Sequence, residues 1–107
     1  MQDLSALPIA IPYNQIVDFC EKWHVTEFAL FGSVLRDDFN DDSDVDVLAQ
    51  FDDMADYSFA DWDDMEQELA VLFNRPVDLI DKQAVMNSPN YIRRKSILNS
   101  AQVIYAK

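Results

Sequence analysis

Gly32 is the only glycine in the 107 residues, where ordinary usage of about 7% would supply about seven. Glycine tolerates backbone turns and close approaches that other residues do not, so the one place where it is kept is informative. It follows directly on residues 25–31 (VTEFALF), a run of branched and aromatic residues that reads as a strand. Gly32 and Ser33 therefore end a strand in a tight turn.

The rest of the chain organises around that turn. Tyr13, Ile16, Val17, Cys20 and Trp23 recur at helical spacing and predict a first amphipathic helix. Residues 34–39 form a short helix opened by Ser33, and the polar stretch NDDSD leads into a second strand at 45–51 (VDVLAQF). After an acidic loop at 52–56, Trp62, Met65, Leu69, Leu72 and Phe73 make the apolar stripe of a third helix. Asp61, Asp63 and Asp64 enrich its first turn as the macrodipole favours, and Asn74, Arg75 and Pro76 stop it. Residues 77–80 form a third strand. Ser88 and Pro89 open a fourth helix over 90–100, and 103–105 makes a short terminal strand. The order αβαβαβα predicts an α/β (α+β) fold with a small mixed sheet flanked by about four helices. At 107 residues, half of them apolar, one domain spanning 1–107 is expected.

The start of the chain has neither a basic end nor a long apolar run, so a secretion signal and a membrane span are not expected there. A cytoplasmic location is the expectation. Cys20, the lone cysteine, sits in the first helix's apolar stripe and reads as packing material. His24, the lone histidine, follows that helix and reads as structural.

The net charge is −12, from 8 basic and 20 acidic residues. Residues 36–64 hold twelve aspartates against the single base Arg36, whereas 65–107 hold four acids against six bases. Such a surface repels phosphate backbones, so direct nucleic-acid binding is not expected. It attracts divalent cations and steers a basic protein partner.

Within the acidic third, Asp44 and Asp46 are two apart, so in a strand both carboxylates leave on one face while Val45 and Val47 point to the other. Two like charges that close call for a cation, and hard oxygen ligands suit Mg²⁺. Asp78 lies between Val77 and Leu79 in an apolar strand, where an ionised carboxylate needs either a metal or a salt bridge to Arg75 or Lys82. Gly32 allows close approach of a phosphate, and Ser33 adds a hydroxyl beside the amides of a helix start.

Phe31-Gly32-Ser33-Val34-Leu35-Arg36, then Ser43-Asp44-Val45-Asp46 and Val77-Asp78-Leu79, together resemble the signature of minimal nucleotidyltransferases in the DNA polymerase β superfamily. The family pattern is G-S-x-x-R, S-D-x-D and a later acid in a V-D-L strand, and the resemblance covers nearly the whole chain. It implies that Asp44, Asp46 and Asp78 bind two Mg²⁺ ions, that Gly32 and Ser33 hold the phosphates of an NTP such as ATP, and that Asp78 helps deprotonate the acceptor. Asp44 would also contact the bound nucleotide, and Arg36 would steady phosphate or the loop. Asp37 stands where the family usually has glycine, which makes this loop more acidic.

Stand-alone domains of this kind are similar to the antitoxin half of toxin–antitoxin pairs that adenylylate a tyrosine on a HEPN-type ribonuclease toxin. The resemblance thus implies an Mg²⁺-dependent protein adenylyltransferase in a hetero-oligomeric complex with such a toxin. The competing reading is a non-catalytic antitoxin that neutralises its toxin by binding and electrostatic occlusion alone.

Overall fold

A computed structural model describes residues 11–32, 44–53 and 56–106. The elements run α1 (Tyr13–Trp23), β1 (Val25–Phe31), β2 (Val45–Phe51), α2 (Phe59–Phe73), β3 (Val77–Asp81), α3 (Lys82–Met86), α4 (Tyr91–Ser100) and β4 (Gln102–Ala106). The strands form one mixed sheet in the order β3-β2-β1-β4. β1 pairs antiparallel with both β2 and β4, and β2 pairs parallel with β3. A parallel neighbour needs a crossover connection, and α2 lies on it. The mixed sheet with flanking helices is the fold class expected. The helix expected over 34–39 lies outside the described residues.

Two apolar layers cover the sheet. Alternation along β2 sends Val45, Val47 and Ala49 into the larger core with Ile16, Phe28, Leu30, Met65 and Leu69. Leu48 goes to the opposite face, into a smaller core with Ala29, Val85 and Ile97, flanked by Phe31 and Ile80. α1 and α2 thus close one face, and α3 and α4 the other. In α1 the buried stripe is Ile16, Phe19 and Cys20, with Phe19 meeting Phe28 edge to face at 6.2 Å. Tyr13, expected in that stripe, is exposed, because it lies in the first turn of α1.

With so little glycine, the helix ends use other residues. His24 and Asn74 take the left-handed conformation that closes α1 and α2, their N–H groups donating to the carbonyls of Cys20 and Ala70. α2 starts three residues before Trp62, at Phe59, because Ser58 and Asp61 form a reciprocal capping box. Asp61 is the acid in the first turn, and Asp63 accepts from Gln67 one turn further along. α4 is capped by Asn90, whose side chain accepts from the Arg93 N–H at 3.0 Å. The expected cap, Ser88, instead accepts from the Asn90 N–H, which leaves Pro89 ahead of the helix. The five-residue α3 was not anticipated: it is too short to show a helical period, and is held by the Asp81 side chain accepting from the Gln83 N–H.

Side chains also finish the sheet. The outer edge of β3 is covered where the Leu79 N–H donates to Glu66 Oε2 at 2.9 Å. Lys22 pairs with Glu68 at 3.0 Å across α1 and α2, and Lys82 pairs with Glu27. Among the described residues no helix is long and apolar enough to cross a membrane.

Candidate active site

The C-terminal end of β1 and the N-terminal ends of β2 and β3 meet at one edge of the sheet. Phe31, the last residue of β1, is the register partner of Asp46 on β2. Asp46 is in turn the register partner of Asp78 on β3. Register partners project to the same face, and Asp44, two residues before Asp46, shares it by alternation. That face is the one carrying Leu48, Phe31 and the smaller core. The three acids named from the sequence therefore stand at one end of one face.

Gly32 follows with φ +75. A Cβ built there would stand 2.3 Å from Asp46 Oδ2 and 3.2 Å from its Cγ. Glycine is needed twice over: for the left-handed backbone, and for the space that the Asp46 carboxylate occupies against it. The single glycine of the chain thus permits direct contact between a backbone turn and a strand carboxylate. Ser33 and Arg36 lie outside the described residues.

Asp78 differs from expectation in one respect. It is exposed, not buried, and of the β3 residues only Leu79 is fully buried. The apolar pattern of V-D-L-I suggests a central strand, but β3 is one of the sheet's two outer strands, and the carboxylate opens to solvent. No buried-charge penalty has to be offset. Lys82, considered as a salt-bridge partner, pairs with Glu27 instead. Asp44 is also exposed, and Asp46 is half-buried between them.

Backbone register brings the three positions together, whereas their carboxylates are not drawn into a closed cluster. Among the described residues no group of three His, Cys, Asp or Glu side chains stands close enough to hold a metal ion. Like charges at adjacent positions repel, and exposed side chains have the rotamer freedom to separate. The donor set consists of hard carboxylate oxygens, two of the three residues reaching solvent, and suits a hard divalent cation.

A cleft of about 660 Å³ opens beside this edge, within the range typical of small-molecule sites. Phe31, Gly32 and Asp46 form its sheet wall, and Asn90, Ile92, Arg93, Ser96, Ile97 and Ser100 of the α4 segment form the other. The α4 wall was not assigned to the site from the sequence. Its signal was present in Arg93-Arg94-Lys95, three consecutive bases in a chain of net charge −12.

Away from the cleft, Cys20 is fully buried, and burial, with the Glu21 carboxylate adding to it, pushes its thiol up to about 12. It is packing material.

The sequence model of the Nucleotidyltransferase domain family matches residues 14–104. A Methanocaldococcus jannaschii protein provisionally named a protein adenylyltransferase is 35% identical over 74 residues, covering 69% of this chain and 71% of that one. Protein adenylyltransferase MntA of Thermococcus cleftensis is 34% identical over 65 residues, covering 61% and 64%. Among solved structures, a toxin–antitoxin with AMP-PNP aligns at TM-score 0.68 and 21% identity, over 91% of this chain and 75% of that one. A tri-AMPylated Shewanella oneidensis HEPN toxin in complex with its MNT antitoxin aligns at TM-score 0.58 and 21% identity, over 89% and 70%. At that identity the two structures establish a common fold.

Proposed function

This chain belongs to the nucleotidyltransferase domain family, and on that premise we propose that it is a cytoplasmic antitoxin that transfers AMP from ATP to a tyrosine hydroxyl of a HEPN-type toxin. The observation that carries this reading is the Gly32 turn set directly against Asp46, on the strand face shared with Asp44 and Asp78. The names of its relatives support the chemistry, since one is a protein adenylyltransferase. The fold neighbours support the nucleotide and the partner: one holds AMP-PNP, and another pairs an MNT antitoxin with an AMPylated HEPN toxin.

In this reading Asp44, Asp46 and Asp78 hold two Mg²⁺ ions, while Gly32 and Ser33 receive the NTP phosphates and Arg36 steadies them. When bound, the ions offset the negative charge building at the α-phosphorus and make the acceptor hydroxyl easier to ionise. The tyrosine oxygen forms a new bond to the α-phosphorus, the bond from that phosphorus to the bridging oxygen breaks, and pyrophosphate leaves with the electron pair. The phenol proton passes to the Asp78 carboxylate and then to solvent. A phenol of pKa about 10 costs about 4 kcal/mol to ionise at pH 7, which is why a carboxylate at the point of attack matters. The exposure of Asp78 suits this role, because an acceptor delivered by another protein must reach it from outside.

The partner's charge follows from the same chain. Asp52, Asp53 and Asp56, with Asp63 and Asp64 of α2, lie exposed, and such a surface steers a basic, RNA-cutting protein toward it. Incubating the chain with ATP labelled at the α-phosphate, Mg²⁺ and its cognate HEPN protein should label a tyrosine of the partner. Absence of label with every divalent cation tried would reject the proposal.

A further inference from the structure

We propose that Arg93, on the α4 wall of the cleft, grips the β- and γ-phosphates of the bound nucleotide and then the pyrophosphate that departs. This role presupposes the adenylyl transfer set out above. A nucleoside triphosphate entering a cleft walled by the Asp46 carboxylate brings further negative charge and needs a cationic counterpart. Arg93 is the one cationic side chain among the described residues lining that cleft. Its planar fork suits phosphate oxygens, to which it can donate two parallel hydrogen bonds.

Its neighbours are otherwise engaged. Arg94 Nη1 donates to the Ser88 carbonyl at 3.1 Å, and its guanidinium lies 5.5 Å from the Tyr91 ring centre. Lys95 lies 5.9 Å from the same ring. Lys22 and Lys82 pair with Glu68 and Glu27. Arg93 is exposed, and among the described residues its guanidinium joins neither ion pair. In a chain with 20 acids against 8 bases, an arginine that forms no ion pair with a described residue, on the wall facing Gly32 and Asp46, is available for an anion that arrives with the substrate. The cleft puts it across from the Gly32 turn, to which the proposed function gives the phosphates, so the triphosphate would run from that turn toward α4.

Calorimetry with Mg²⁺ on the full chain, titrating ATP, pyrophosphate and AMP separately, tests the assignment. Arg93→Ala should weaken ATP and pyrophosphate binding by about tenfold, the size of one charge-assisted contact. AMP binding should not change, because AMP lacks the phosphates in question. The melting curve should be unaffected, and Arg93→Lys should fall between the two, keeping the charge and losing the fork. If the unaltered chain binds ATP and Arg93→Ala binds ATP and pyrophosphate within twofold of it, Arg93 has no such role and adenylyl transfer stands. Weaker toxin binding with unchanged nucleotide affinity would equally overturn it, making Arg93 a partner contact. If the unaltered chain takes up no ATP, both this role and the transferase reading fall.

Discussion

The two faces of the sheet do different work with the same strands. On the α1–α2 face Ile16, Phe28, Leu30, Val45, Val47, Met65 and Leu69 are sealed from solvent, and among the described residues no charged side chain is buried with them. On the α3–α4 face the core is smaller, and the sheet ends in Asp44, Asp46 and Asp78. Side-chain alternation forces this division: each hydrophobic placed inward on β2 puts its neighbour outward. One face therefore supplies the stability that lets the other carry closely spaced like charges, whose repulsion works against folding.

The largest effect that would sharpen this contrast is a cavity in the sealed face. Phe28→Ala should cost about 3–5 kcal/mol, a large part of the roughly 5–15 kcal/mol that holds a domain folded. Leu48→Ala, on the smaller face, should fall near the lower end of the roughly 2–5 kcal/mol range for such truncations. Urea denaturation of both variants measures the difference, and equal losses would break the comparison.

Substitutions at the acidic end should invert that pattern. Asp46→Asn should lower AMP transfer roughly 10²–10³-fold, as loss of a group acting on transition-state charge does, while leaving the melting temperature level or slightly raised. Gly32→Ala should harm both properties, since its Cβ would fall 2.3 Å from Asp46 Oδ2 and the left-handed backbone adds about 1–2 kcal/mol of strain. If Asp44→Asn with Asp46→Asn still protects cells from the toxin, occlusion and not chemistry neutralises it.

The smallest effect concerns Cys20, inside the sealed face. Its thiol is pushed up to about 12, above the roughly 8.5 of an unfolded thiol. The contribution is therefore complete below about pH 8.5 and is lost as pH rises toward 12, where the unfolded chain ionises first. Iodoacetamide at pH 8 should leave the folded chain unlabelled and alkylate it in denaturant. Stoichiometric labelling of the native protein would show that this face opens.

Much of the fold was readable because it depends on local repetition. The limits of α1, β1 and β2 coincide with those read from spacing, since three or four apolar residues at a regular period outweigh other local preferences. The start of α2 at Phe59 is set by the Ser58–Asp61 capping box and not by the apolar stripe that begins at Trp62, so spacing alone does not mark it. Asp78 was misread as buried because the V-D-L-I pattern cannot distinguish a central strand from an outer one with a single covered side. The α4 wall went unrecognised because α4 lies about sixty residues from Gly32 and no periodicity links them.

By itself the sequence determined which segments become helices and strands, where the chain bends at its one glycine, and that Asp44 and Asp46 share a face. These are properties of neighbours within a few residues, and backbone geometry dictates them directly. Only the tertiary structure decided that β3 lies beside β2 at the outer position, that Asp78 reaches solvent in register with Asp46, and that Arg93 looks across a cleft at Gly32. Those outcomes depend on which apolar surfaces find each other, a competition among all the elements that no single stretch of residues settles.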